Sequence, residues 1–356
     1  DENRSMVTTN QKSERKSAIL SIRERIRWDV ERLIKIDRKL DANGLIYTAD
    51  DVIDEFNRYS MEYSLFNYME SIIAKLKQNG KIRTSETYRA TLNSFKKFRR
   101  DEDIMLDCIT SEVMENFEAW HKSRGVAPNS ISFYTRILRA VYNRAVENDI
   151  IENRNPFRYV YTGVDKTVKR ALPLSVIKKI KALELSLTPA LDFARDMFMM
   201  SFYLRGMSFI DMAFLRKTDL KNGYITYRRR KTGQQLIIEW TKEMQLILDK
   251  YAENKSDYLL PVIRNPDINE RCTYRNIGYN INHNLKKIAK MIGVTIPLTL
   301  YVARHSWASA AKAKGIPISV ISEGMGHDSE ITTQIYLASL DTSVVDKANS
   351  LILKSL

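Results

Sequence analysis

Leu298-Thr-Leu-Tyr301-Val-Ala-Arg304-His305-Ser-Trp-Ala-Ser309 and, a little further on, Gly324-Met-Gly-His327-Asp-Ser-Glu-Ile-Thr-Thr-Gln-Ile-Tyr336 gather several chemically capable side chains in one short segment. Pro297 and Thr299 supply a helix start and Gly315 a stop, so 299–314 reads as one helix. On it Tyr301, Arg304 and His305 stand at i, i+3 and i+4 and share a face, which suits a phosphate or a structural polar cluster about equally. His327 and Tyr336 are nine residues apart, about two and a half helical turns, so on one unbroken helix they would face opposite ways. Gly326 supplies a break and Asp328-Ser329 a fresh cap, leaving His327 in the loop and Tyr336 on the helix that follows. Taken alone, each also has a structural explanation: a satisfied histidine and a core-packed tyrosine.

Working back from this segment, the chain from Leu174 onward is mainly helical with one strand-rich insert. Ser175 is expected to cap a helix from Val176 to Leu183. Thr188-Pro189 opens an apolar helix through Phe193, Met197, Met200 and Tyr203 to Arg205-Gly206. A guanidinium at the end of so apolar a helix is costly to bury without an anion, although an arginine there also suits the helix dipole. Ser208 and Asp211 form a pair like a capping box at the start of a short helix. Tyr224–Arg229 and Gln235–Trp240 flank a Gly-containing turn, a hairpin signal. Lys231 at its tip is either a solvated turn lysine or a mobile ammonium that donates a proton into a neighbouring groove. Helices resume at Glu243–Tyr251 and Tyr274–Ile292.

The first half is helical and well punctuated. Ile19, Ile22, Ile26, Val30 and Leu33 recur at helical spacing between about Ser13 and Leu40, and Asn43-Gly44 is a good stop. Thr48-Ala-Asp50-Asp51 looks like the cap of a short helix from Val52 to Arg58. This region, 1–62, is either an appendage packed on the next domain or on a neighbour, or a DNA-contacting arm. Four helices follow: Leu65–Gln78 up to Asn79-Gly80; one behind the cap Ser85 to about Arg100; one after Thr110 to Gly125; and one after Pro128 and Ser130 to Asn155-Pro156. The stretch 81–100 carries Lys81, Arg83, Arg89, Lys96, Lys97, Arg99 and Arg100 against the single acid Glu86. A solvated helix face more often mixes its signs, so backbone phosphate contacts are favoured. Residues 158–172 lack helical periodicity and read as a basic linker containing Lys166, Lys169 and Arg170.

Composition narrows the classes. At 356 residues the chain is long enough for two or three cores, 44% of it is hydrophobic, and its formal charge of +14 favours a polyanionic partner. Cys108 and Cys272 lack the number and spacing of a disulfide framework or zinc site, which fits a reduced, cytoplasmic setting. The charged start is unlike a signal peptide, and a first residue other than Met is compatible with a longer product. No apolar run reaches the roughly 18 residues of a membrane span.

Over roughly 64–345 the ordered set Arg205 in Leu-Arg-Gly, Lys231 in a β-turn, Arg304-His305, Gly-His327 and Tyr336 resembles the catalytic series of the tyrosine recombinases, or phage-type integrases. The resemblance implies a mainly α architecture: a SAM-like helical core-binding DNA-clamp domain at 63–157, the linker at 158–172, and a mostly helical catalytic domain with a small antiparallel sheet at 173–340. A tail helix at 341–356, with Val344, Val345, Ala348, Leu351 and Ile352 on one face, would dock on its own domain or on the adjacent protomer. It also implies site-specific strand exchange through a 3′-phosphotyrosyl intermediate, with catalytic residues Arg205, Lys231, Tyr301, Arg304, His327 and Tyr336, no metal and no cofactor. Partners would be double-stranded DNA, three further copies in a homo-tetramer on paired sites, and host DNA-bending proteins, at the nucleoid. Tyr301 stands where most members have a histidine. A phenol can bond a phosphate but is a poor base near neutral pH, and His305 is a weaker stand-in. A type IB topoisomerase-like relaxing enzyme and a non-catalytic DNA-binding protein are the alternatives.

Overall fold

The computed structural model describes residues 29–42, 44, 46–165, 170–264 and 269–337, with single positions at 19, 23, 26, 27 and 353. Lys166, Lys169 and the tail at 341–356, Leu353 apart, lie outside the described residues. Contacts divide the chain into two units, 1–166 and 167–356. Among the described residues no helix is long and apolar enough to cross a membrane.

The first unit is helical: α1 (residues 29–42), α2 (Ala49–Tyr63), α3 (Leu65–Gln78), α4 (Ile82–Arg99), α5 (Ser111–Ser123) and α6 (Pro128–Glu147). α2 starts at a reciprocal capping box between Thr48 and Asp51 and runs on to Tyr63, beyond the expected end at Arg58. Its neighbour α3 has the bounds its punctuation predicts, while α4 starts earlier than expected. Asn79 and Gly80, with φ +68° at Gly80, turn the chain directly into Ile82. Ser85 is therefore no cap; it lies buried one turn inside, its hydroxyl donating to Ile82 O at 2.7 Å.

Apolar residues at helical spacing on α3 to α6 meet in one core containing Leu65, Met69, Leu92, Phe95, Phe117, Leu138 and Tyr142. Phe117 is fully buried and sits 5.1 Å from Phe95 and 5.3 Å from Phe98, ring centre to ring centre. α1 is fastened to this unit by Arg32, 5% exposed, which pairs with Asp107 at 2.9 Å. The basic stretch after α6 lies along that helix: Thr135 donates to Tyr161 O at 3.1 Å, and Asp165 N donates to Asn129 at 2.7 Å.

The second unit is built around α8 (Pro189–Tyr203), whose Ala194, Met197, Phe198, Met199 and Met200 are all buried. A helix this apolar needs neighbours on several sides. α7 (Leu174–Lys181), α10 (Lys242–Asp249), α11 (Glu270–Met291) and α12 (Leu300–Ala313) supply them. Short α9 (Phe209–Ala213) precedes a three-stranded antiparallel sheet, β1 (Leu220–Lys221), β2 (Tyr224–Arg228) and β3 (Gln235–Glu239), in the order β1-β2-β3 with Arg228 opposite Gln235. α13 (Ile318–Met325) and α14 (Glu330–Tyr336) complete the unit.

Three expectations here need correction. Ser175 lies inside α7, which begins one residue earlier behind Pro173, whose carbonyl accepts from Val176 and Ile177. Asn269 caps Arg271 N and Cys272 N, so α11 opens at Glu270 and not at Tyr274. Ser208 and Asp211 bond each other through their side chains at 2.6 Å and do not form reciprocal caps to the backbone.

Truncating Phe117→Ala removes the ring that Phe95, Phe98 and Trp120 pack on. The expected loss is about 3–5 kcal/mol of stability, read as a lower denaturant midpoint.

Candidate active site

Arg304 lies on the first turns of α12 and is 4% exposed. Its Nη1 donates to Gly206 O at 2.7 Å, and its Nη2 donates to Met325 O at 2.8 Å and to His327 Nε2 at 2.8 Å. Gly206, φ +73°, is the point of closest approach. A Cβ there would come within 2.7 Å of the Arg304 Cα, so no larger residue fits without moving α12. The preceding Arg205 is itself left-handed, φ +57°. Its side chain runs past Gly324, where a Cβ would meet Arg205 Cδ at 3.8 Å. Arg205 makes no hydrogen bond or ion pair among the described residues.

The break expected at Gly326 is present. α13 ends there at φ +65°, with Gly326 N bonded to Glu323 O and His327 N to Ser322 O. Ser329 then caps α14 by accepting from Ile331 N at 3.2 Å. His327 is 7% exposed and its Nδ1 is 2.8 Å from the hydroxyl of the buried Thr333. An arginine can only donate, so Nε2 accepts and, in neutral imidazole, Nδ1 carries the proton toward Thr333. Burial, then the charges of Arg304, Arg229 and Lys231, lower the His327 pKa to about 4. Tyr336 ends the helix that Thr333 anchors, about one turn further on; its side chain lies outside the described residues.

The β2–β3 loop carries Lys231, exposed, and Arg229, 6% exposed. The Arg229 guanidinium donates to Gly326 O. Next to it, Arg230 N donates to Asp211 at 2.9 Å, and the Arg230 guanidinium lies 3.9 Å from the centre of the Phe214 ring. Sequence reasoning passed over Arg229, because nothing in Arg228-Arg229-Arg230 distinguishes the middle residue until the hairpin twist turns it inward.

The face expected to be shared by Tyr301, Arg304 and His305 divides. Arg304 turns inward, whereas Tyr301 is 55% exposed and its ring meets His305 edge-on at 4.7 Å. The space cleared by Gly206 is what lets the guanidinium turn into the core.

In the helical unit the basic stretch is less uniform than its sequence. Lys81, Arg83, Lys97 and Arg100 are exposed, but Arg83 pairs with Glu86 at 3.1 Å and Arg99 approaches Glu102 at 4.0 Å. Arg89 forms a two-pronged ion pair with Glu70 of α3, and Lys96 lies over the Phe66 ring at 5.0 Å. Counting acids only within 81–100 could not find Glu70. Missed as well was the exposed stripe of α6, which presents Arg136, Arg139, Asn143 and Arg144. Arg170 is exposed. Among the described residues no group of three or more His, Cys, Asp or Glu is placed to hold a metal ion.

Since the folded site holds His327 neutral down to about pH 4, the unfolded imidazole, with its ordinary value near 6.5, takes up a proton first as pH falls. Stability should therefore decline from pH 6.5 towards 4, by up to about 3 kcal/mol. Denaturant titrations at pH 7 and 4.5 should show this slope, and His327→Gln should flatten it.

Two family patterns match the chain: the phage integrase SAM-like domain over residues 64–162 and the phage integrase family over 178–343. The tyrosine recombinase XerD of Listeria monocytogenes is 25% identical over 270 residues, covering 71% of this chain and 86% of its own. Among solved structures, a lambda integrase tetramer bound to a Holliday junction superposes with a TM-score of 0.59 at 18% identity, covering 77% of each chain. The Tn1549 transposon integrase with transposon right-end DNA superposes with a TM-score of 0.56 at 15% identity, covering 82% of this chain and 99% of its own. With both patterns falling in order on the two halves of the chain, the protein belongs to the phage integrase family of tyrosine recombinases.

Proposed function

We propose that the protein is a site-specific DNA recombinase that cuts and rejoins strands by transesterification, with Tyr336 as nucleophile. The observation that carries this reading is the convergence of Arg304, His327 and Thr333 of α14 at one buried point, with Arg205 beside it and Tyr336 at the end of the same short helix. The Tyr336 phenol oxygen forms a bond to a backbone phosphorus and the bond to the 5′-oxygen breaks. Lys231 gives that oxygen its proton, leaving a 3′-phosphotyrosyl link and a 5′-hydroxyl. Attack on the link by a 5′-hydroxyl from a partner strand reverses these changes and frees the tyrosine. Phosphoester bonds are exchanged one for one, so the scheme draws on no nucleotide hydrolysis.

Arg205 and Arg304 stabilise the charge gathering on the pentacoordinate phosphorus through charge-assisted hydrogen bonds. Tyr301, exposed beside His305, contributes a hydrogen bond to phosphate. In the arrangement described, His327 fixes the orientation of Arg304. Negative charge arriving beside it would raise its pKa again, so it can take the phenol proton only with phosphate present.

In this reading residues 63–157 form the clamp, 158–172 the linker and 173–340 the catalytic domain, with the tail 341–356 linking protomers. Exposed cations of α4 and α6 contact the DNA backbone. A tetramer on paired duplex sites is the assembly we infer for this chain, by analogy with the lambda integrase tetramer bound to a Holliday junction. Host DNA-bending proteins would assist where the sites need bending, and such a protein would be found on the nucleoid.

On a nicked suicide duplex carrying its target site, Tyr336→Phe should bind as wild type does but form no covalent adduct. An adduct from that variant would remove Tyr336 as nucleophile. Lys231→Ala should slow adduct formation by about 10²–10⁴-fold. Recombination between two cloned sites separates the recombinase from an enzyme that only relaxes supercoils.

A further inference from the structure

Arg229 is buried, whereas Arg228, Arg230 and Lys231 around it are exposed. Burying a guanidinium is costly, and among the described residues no carboxylate forms an ion pair with it. Its partner is the carbonyl of Gly326, the residue immediately before His327. Its own backbone closes the loop: Arg229 N donates to Gln234 O at 2.8 Å and Arg229 O accepts from Gly233 N at 2.7 Å. Lys231 sits inside the turn so closed. Contact with Gly326 is tight, since a Cβ there would meet Leu236 Cδ1 at 2.9 Å and Arg229 Cδ at 3.2 Å.

We propose that Arg229 is a positioning residue of strand cleavage, tying the loop that carries Lys231 to the Gly326 carbonyl so that the proton donor and the Arg304–His327 pair meet the phosphate as one body. This rests on the reading of Lys231 as the acid for the leaving 5′-oxygen. A carbonyl partner, unlike a carboxylate, leaves the charge of Arg229 uncancelled, and His327 feels it together with Arg304 and Lys231. A methionine of similar length would spare the burial cost, so Arg229→Met should fold. What it would lose is the tie.

The test compares two nicked suicide duplexes, built on a site recovered by covalent trapping of the wild-type protein on a random-sequence duplex library. One has the ordinary 5′-oxygen at the scissile phosphate and the other a bridging 5′-sulfur. A thiol, with a pKa of about 8.5, leaves as thiolate without a proton. On the oxygen duplex Arg229→Met should cleave about 100-fold more slowly than wild type, in the range expected for loss of a proton donor, with binding unchanged. On the sulfur duplex both Arg229→Met and Lys231→Ala should recover to within about threefold of wild type, because the step they serve is no longer needed.

Recovery of Lys231→Ala without recovery of Arg229→Met would overturn the positioning role and leave Lys231 as the acid. Failure of Lys231→Ala to recover would overturn the acid assignment, and the role of Arg229 with it. Wild-type cleavage of the oxygen duplex by Arg229→Met would also overturn the proposal. Should Arg229→Met not fold, Arg229→Lys keeps the charge but loses the two-dimensional fork, and it is read on the same two duplexes by the same criteria.

Discussion

The Arg304 guanidinium is the joint on which the second unit's site depends. Three of its hydrogen bonds fix three separate pieces of chain: the turn after α8 through Gly206 O, the end of α13 through Met325 O, and the loop before α14 through His327. The nature of these partners matters as much as their number. A carboxylate would hold the guanidinium equally well but would cancel its charge. Carbonyl oxygens and a neutral imidazole satisfy N–H groups while leaving the positive charge uncancelled. The cost is carried by a well-packed neighbourhood in which α8, α11 and α12 share one continuous core.

Backbone conformation supplies the rest of that geometry. Arg205 and Gly206 are consecutive left-handed residues, and the second must lack a Cβ because the Arg304 backbone is in the way. Gly326 repeats the device on the other side, where the hairpin presses on it. Two positive-φ turns thus bring an apolar helix end against Arg304 and the hairpin against Gly326, which lies between the Met325 and His327 that Arg304 holds.

Much of this was legible in the sequence where local chemistry decides the outcome. Asn79-Gly80, Thr110, Thr48 with Asp51, and Gly326 with Ser329 mark helix ends whose partners lie within a turn, and the structure has them there. Ser85 and Ser175 misled because a serine near a helix start is equally able to bond the preceding turn; only the geometry of the incoming chain chooses. β1 has two residues, too few for a period-2 signal. At the site, the order of Arg205, Lys231, Arg304, His327 and Tyr336 was readable, but burial was not. Arg229 and the Glu70 partner of Arg89 are matters of tertiary contact, across 97 and 19 positions of sequence.

His327 shows how little its place along the chain says of its surroundings. Its two ring nitrogens face different elements, Nε2 towards Arg304 on α12 and Nδ1 towards Thr333 on α14. Because arginine has no acceptor, the tautomer is imposed from one side and the bond to Thr333 follows on the other. The orientation of the Arg304 guanidinium and the placement of the helix ending at Tyr336 are therefore set by one imidazole, and only while it is neutral. A proton on Nε2 would put an N–H against the Arg304 N–H and undo the first bond, so the cations that lower its pKa also preserve the geometry they take part in.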